Sequence, residues 1–309
     1  MHIVRFAQHD SNGSAVGVLT DGKVTGFAGV ATLAELLQLP AGALRERCLD
    51  PGGPTYPVGD VRLLPPADGR TEVWAAGVTY QQSRAARVEE SERSATVYEQ
   101  VYDADRPELF FKSVAWRVVG DGEPIAVRDD SKVDVPEPEL AVVVNAAGEI
   151  VGYTVCDDVS SRTLEGENPL YLPQAKIYLG GCSVGPGIRP AWEVTDPYDL
   201  TIRLTIRRGG AVHWSGEAST SQLRRRLDEL VDYLTRADAF PDGVILSTGT
   251  CLVPGTPFTL TAGDEVQIEI DEVGSLTNPV VRGRTDMQWL VAGYDDTRQR
   301  PRTTQEVTR

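Results

Sequence analysis

The stretch from Asp134 to Ser160 constrains this chain most. It runs Asp134-Val-Pro-Glu-Pro-Glu-Leu140, then Ala141–Asn145, Ala146-Ala-Gly-Glu149, Ile150-Val-Gly-Tyr-Thr-Val155 and Cys156-Asp-Asp-Val-Ser160. Two apolar runs, Leu140–Val144 and Ile150–Val155, flank a short polar turn. That is the pattern of two strands buried on both faces and joined as a hairpin. Glu137 and Glu139 are two apart, so they project from one face of a strand. With Ala147-Gly148 at the centre of the hairpin, Asp158 lies across from Glu137, Cβ atoms about 5 Å apart. Three carboxylates then crowd one patch, and like charges facing each other destabilise a sheet. Something positive must hold them. A hard divalent cation with oxygen ligands, Mg²⁺ first, is the economical answer. The competing reading is a solvated strand edge, which Pro136 and Pro138 would suit because they donate nothing to a ladder. The apolar runs beside them argue against it.

The rest of the chain bounds the possibilities. Its 309 residues can bury a good core in one large domain or two. A net charge of −15 argues against nucleic-acid and anionic-membrane partners, which call for basic patches. No apolar run approaches the ~20 residues of a membrane span, and the start lacks a signal-peptide pattern. Cys48, Cys156, Cys182 and Cys251 have neither zinc nor redox spacing, so reduced thiols in a cytoplasmic protein are expected. His2, His9 and His213 are too dispersed to ligate a metal together. Gly180–Gly187 is glycine-rich but lacks the spacing of a phosphate-binding or dinucleotide loop.

A small β-rich N-terminal module of mixed α+β content is expected over residues 1–65, and a catalytic domain over 66–309. His2–Ala7, Ala15–Thr20 and Lys23–Ala28 read as strands, with Asp21-Gly22 as a two-residue hairpin turn. Thr32–Leu39 reads as a short helix capped by Thr32. Asp50–Pro54 reads as a linker-like turn cluster. Beyond it, strands are expected at Val73–Val78, Leu109–Lys112, Leu200–Arg207, Val244–Ser247, Phe258–Leu260 and Val266–Ile270. A polar helix over Gln81–Val101 is a candidate lid or a plain solvated helix. Ser221–Ala237 reads as an amphipathic helix with Leu223, Leu227, Leu230, Val231 and Leu234 on one stripe. The tail from Asp295 reads as polar and loose.

Several ordered motifs resemble the fumarylacetoacetate hydrolase family. They are Pro138-Glu-Leu-Ala-Val-Val143, Gly152-Tyr-Thr-Val-Cys-Asp-Asp-Val-Ser-Ser-Arg162, and Gly263-Asp-Glu-Val266 with Val273-Gly-Ser-Leu-Thr-Asn-Pro-Val280. The resemblance covers roughly Val73 to Arg282. It implies a mainly β protein with α elements, a mixed β-roll or sandwich, usually a homodimer. It also implies a Mg²⁺ or Mn²⁺ site on two Glu and one Asp, which by motif are Glu137, Glu139 and Asp158. The family's active-site lysine falls on Lys176, and the Thr of its Thr-Gly-Thr turn falls on Thr250, expected at a substrate carboxylate. Arg162 matches the signature arginine and is either a substrate contact or an ion-pair partner of the acids.

The departures from the family matter as much. Members that hydrolyse carbon–carbon bonds or decarboxylate carry a water-activating His and Glu. Ser83 and Ala86 stand at those two positions, and neither serves as a base near neutral pH. The branch with this look dehydrates 2-keto-3-deoxy sugar acids, sharing the segment Val97–Lys112 and the Val-Pro-Glu-Pro-Glu strand. That resemblance puts a second catalytic acid at Glu108. The expected reaction takes 2-keto-3-deoxy-D-arabinonate (equivalently D-xylonate) to 2,5-dioxopentanoate. Lys176 removes a C3 proton to form an enolate, and Glu108 protonates the departing C4 hydroxyl. Tyr80 and Ser83 are expected beside the substrate, with packing and a helix cap as their bland alternatives. Two other functions stay open, a hydrolase or decarboxylase of acylpyruvate-like 2-keto acids and a non-catalytic binder of metal and keto acid.

Overall fold

The structure is a computed structural model and describes residues 1–9, 11–80 and 100–301. The N-terminal strands are β1 (His2–Gln8), β2 (Ala15–Thr20), β3 (Lys23–Phe27), β4 (Gly52–Pro57) and β5 (Val61–Leu64). Next come β6 (Glu72–Gly77), β7 (Glu108–Val114), β8 (Ile125–Val127), β9 (Asp134–Val135), β10 (Pro138–Val144), β11 (Ile150–Asp158) and β12 (Ser160–Ser161). The remainder are β13 (Cys182–Pro190), β14 (Thr201–Arg208), β15 (Ala211–Ser219), β16 (Val244–Ser247), β17 (Asp264–Ile270) and β18 (Gly274–Arg282).

An 11-stranded mixed sheet has the order β4-β3-β2-β1-β13-β11-β10-β16-β6-β7, with β5 also on β1. A second sheet, β15-β14-β17-β18-β8, packs against it. Strand β10 explains why the hairpin is apolar throughout. Leu140, Val142 and Val144 face one core with Ile202, Leu204 and Ile268 of the second sheet. Ala141 and Val143 face another core, with Leu36, Leu37 and Leu44 from the N-terminal helices. Both faces are covered, so alternation disappears. That second core, and the β1–β13 pairing, carry the sheet across the expected boundary at residue 65.

Local signals read well near the N-terminus. Asp21 and Gly22 both take positive φ between β2 and β3, and Thr32 caps the helix Leu33–Leu37 by accepting from Glu35 N. Four expectations need correcting. The turn cluster at Asp50–Pro54 is largely the edge strand β4, where Pro54 and Pro57 cost little because one side needs no ladder. Phe258–Leu260 is not a strand; Leu260 N bonds only Asp134 O, without a ladder. The helix expected from Ser221 begins at Leu227, because the Leu223–Arg224 backbone pairs with Thr79–Tyr80 instead. Its buried stripe of Leu227, Leu230, Val231 and Leu234 holds.

The tail is docked rather than loose as far as residue 301. The Arg300 guanidinium meets the Glu123 carboxylate at 2.5 and 2.7 Å, and each side chain is only 3% exposed. Arg62 donates to Thr297 O, fastening the same segment to β5. Breaking one partner of such a buried pair costs about 3–5 kcal/mol. The helix Ala41–Leu49 was not anticipated. Of the polar helix expected over 81–101, residues 81–99 lie outside the described residues. No helix among the described residues is long and apolar enough to cross a membrane.

Candidate metal centre and active site

Strand β10 lies between β11 and β16, in the interior of the sheet, so the solvated-edge reading falls. Pro138 opens the strand, where its missing N–H is tolerated. Pro138 pairs with Asp157 and Glu139 with Cys156. One step further, Asp158 N donates to Glu137 O at 3.0 Å, which puts Asp158 opposite Glu137 as the hairpin count requires.

Glu137, Glu139 and Asp158 are all buried, and each offers a carboxylate oxygen within 4.8 Å of the others. Glu139 Oε2 accepts from Ser247 Oγ at 2.5 Å and from Gly249 N at 2.8 Å. Gly249 must be glycine. Its φ is +93°, and an added Cβ would run into Thr79 Oγ1. Burial first, and then the carboxylates of Asp158 and Glu137, push the Glu139 carboxyl well above the usual range. Three crowded oxygen donors with that electrostatic strain fit a hard divalent cation.

Protein cations also enter this cluster. Lys176, 1% exposed and last in the helix Leu172–Lys176, donates Nζ to Glu137 Oε2 at 2.7 Å, Asp158 Oδ2 at 3.0 Å and Ser160 Oγ at 2.6 Å. Arg162 opens the helix Arg162–Glu167 after the cap Ser161 and meets Glu137 Oε1 at 2.7 Å. That contact is the ion-pair alternative for the signature arginine.

Two members of the cluster were missed in the sequence. Glu165 lies 3.4 Å from both Lys176 Nζ and Arg162 Nη1. Its spacing of three from Arg162 on a capped helix was the available signal. Lys112 reaches Asp158 Oδ1 at 2.5 Å. A lone charge at the end of the apolar run Leu109-Phe-Phe was the hint there.

The other expected residues divide. Glu108 pairs with Gly77 across β6 and β7, and its carboxylate occupies the space a Gly77 side chain would need. Gly77 also lines the small cavity over the acids, of about 20 Å³, enough for a water-sized or ion-sized body. Thr250 lines the same cavity, but its hydroxyl donates to Pro138 O at 3.0 Å. Tyr80 is fully buried, packed in the core near Cys251 and Glu139, and does not line the cavity; the packing alternative describes it. Ser83, with Ala86, lies outside the described residues. A larger cavity of about 660 Å³, bounded by Trp116, Arg128, Tyr178 and Arg284 among others, contains none of the expected site residues.

Residues 72–281 match the fumarylacetoacetate hydrolase C-terminal family, and residues 1–66 match the Rv2993c-like N-terminal family. The chain is 48% identical over 233 residues to 2-dehydro-3-deoxy-D-arabinonate dehydratase of Saccharolobus solfataricus, covering 74% of this chain and 78% of that protein. It is 53% identical over 209 residues to a Haloferax volcanii protein named "Probable 2-keto-3-deoxyxylonate dehydratase", covering 68% and 72%. Among solved structures it resembles 2-keto-3-deoxy-D-arabinonate dehydratase complexed with magnesium and 2,5-dioxopentanoate. That likeness has a TM-score of 0.77 and 38% identity, over 92% of this chain and 100% of the other. With most of its length matched and its acid hairpin in the expected register, the chain belongs to the fumarylacetoacetate hydrolase family.

Proposed function

We propose that this chain is a divalent-metal-dependent hydro-lyase that dehydrates a 2-keto-3-deoxy sugar acid. The substrate would be 2-keto-3-deoxy-D-arabinonate (equivalently D-xylonate) and the product 2,5-dioxopentanoate. The observation that carries this reading is the lysine Lys176 held against three metal-type carboxylates. Lys176 Nζ is 2.7 Å from Glu137, and the Glu108 carboxylate packs against Gly77, which itself lines the cavity over the acids. The likeness to relatives bearing dehydratase names supports it.

Glu137, Glu139 and Asp158 would hold Mg²⁺ or Mn²⁺, which supplies Lewis acidity to the oxygens of the keto acid. Lys176 takes the C3 proton as general base. Glu108 gives a proton to the C4 hydroxyl, which leaves as water. Tautomerisation of the unsaturated product then leaves C5 as the aldehyde. Arg162 holds Glu137 in place. Thr250 would reach the substrate carboxylate by turning its hydroxyl from Pro138 O. No attacking water is required, in keeping with Ser83 and Ala86 in place of a basic dyad.

Buried acids at the cluster (Glu137, Glu139, Asp157, Asp158, Glu165) outnumber the buried cations (Lys112, Arg162, Lys176), which suits a bound divalent cation. We also propose a homodimer, which light scattering at micromolar concentration tests; a stable monomer refutes it.

Incubation with Mg²⁺ and 2-keto-3-deoxy-D-arabinonate, followed by NMR, should show an aldehyde product. Rapid acylpyruvate cleavage with no turnover of deoxy-keto acids would replace this reading with the hydrolase.

A further inference from the structure

We propose that Lys112 is a positioning residue for the metal centre, orienting Asp158 as a ligand from behind. The inference rests on the reading of Glu137, Glu139 and Asp158 as metal ligands. Lys112 is 1% exposed, and lysine is almost never buried this far unless paired. Two main-chain carbonyls accept from this ammonium, Val159 O at 3.2 Å and Lys176 O at 2.5 Å, and Asp158 Oδ1 pairs with its charge at 2.5 Å. Its Nζ also stands 5.9 Å from the centre of the Tyr178 ring.

The two oxygens of Asp158 are held by different lysines, Oδ1 by Lys112 and Oδ2 by Lys176. Rotation of the carboxylate would break both contacts, so its orientation is set before any ligand arrives. Lys112 also binds the main-chain carbonyl of Lys176, a helix-end oxygen without an intrahelical donor. One ammonium thus fixes a metal ligand and the backbone of the proposed base.

The backbone around Lys112 is built for this reach. Phe111 pairs with Trp74, but Ser113 pairs with Val73, so Lys112 is the extra residue of a β-bulge. Bulges bend a strand and re-aim a side chain, and they gather beside active sites. Strand β7 ends the sheet, four strands from the β11 residue that Lys112 grips. The bulge frees Lys112 from the ladder, and from this end strand it reaches Asp158. Glu108 begins the same strand, so this grip also anchors the segment carrying the proposed acid.

Manganese binding, read by electron paramagnetic resonance without substrate, tests the proposal. Lys112→Met should weaken Mn²⁺ affinity on the order of 10–100-fold, the usual cost of losing a partner of a metal ligand. In an Asp158→Asn background the same change should add little, because Lys112 acts through Asp158. Affinity within twofold of the unmodified protein, or fully additive losses, would overturn the proposal. Lys112→Met leaves Asp158 as an unpaired buried charge and can fail to fold. In that event Lys112→Met/Asp158→Asn, which removes both charges, should recover cooperative unfolding. A double variant that also fails assigns Lys112 to general packing and overturns the positioning role. Absence of Mn²⁺ binding by the unmodified protein would instead refute the metal-site reading itself.

Discussion

The Glu108 carboxylate lies where a side chain on Gly77 would have to go: a Cβ built at 77 collides with Glu108 Oε2 and Cδ. The two residues are paired across β6 and β7, and Gly77 also lines the cavity above the acids. Glycine at the end of β6 is therefore what leaves room for the carboxylate of an acid on the neighbouring strand, beside a residue that lines the cavity.

Gly77→Ala should displace that carboxylate while leaving the fold intact, because what it strikes is the far end of a flexible side chain. The expected result is a fall in kcat of roughly 10²–10⁴-fold, the range for losing a general acid. Unfolding free energy should shift by only about 1 kcal/mol. Steady-state kinetics beside urea unfolding check it, and full activity in Gly77→Ala would remove Glu108 from the mechanism.

Lys176 and Glu108 are proposed to act on different protons, so their variants should differ in kind. Lys176→Ala should stop both elimination and exchange of the C3 hydrogen with D₂O. Glu108→Gln should permit exchange and block elimination. Each should cost roughly 10²–10⁴-fold in turnover. Proton NMR of the substrate in D₂O separates them, and continued C3 exchange by Lys176→Ala would move the base elsewhere.

Chelation should abolish turnover, and Mg²⁺ or Mn²⁺ should restore it. Asp158→Asn should lower metal affinity sharply, because a buried carboxylate of the cluster is replaced by a neutral amide. Isothermal titration with Mn²⁺ measures the loss, and circular dichroism checks the fold. Full activity of Asp158→Asn in the presence of chelator would end the metal assignment.

Asp134 predicts a pH dependence of stability away from the metal ligands. Burial pushes its carboxyl up to about 6, with the Ser131 hydroxyl, Arg282 and Arg128 pulling the other way. The unfolded chain releases this proton near pH 4. Between those values the native state holds a proton that the unfolded state has lost. The contribution is therefore full below about pH 4 and is lost as pH rises through about 6, on the order of 3 kcal/mol. Urea midpoints at pH 4.5 and 7 should differ less for Asp134→Asn than for the unmodified protein. An unchanged difference would show that other groups carry the dependence.

The sequence by itself determined the acid hairpin, because everything that sets its register is local. Two apolar runs, a short turn with Gly148 at positive φ, and acids at matching distances leave one pairing that buries both runs. Family motifs added Lys176, Arg162 and Glu108. Only the tertiary structure decided what closes around them. Lys112 and Glu165 look like ordinary charges in the sequence. They join the site because a bulge in β7 leaves Lys112 to reach Asp158 and because a capped helix starts at Arg162. Tyr80 lies in the core for the same kind of reason, since Leu223 pairs with its backbone from a distant segment. The tail is fixed by Arg300 on Glu123, 177 residues away, a contact no local pattern announces. Periodicity encodes which face a residue takes, whereas partners brought together by chain closure depend on how every intervening element packs.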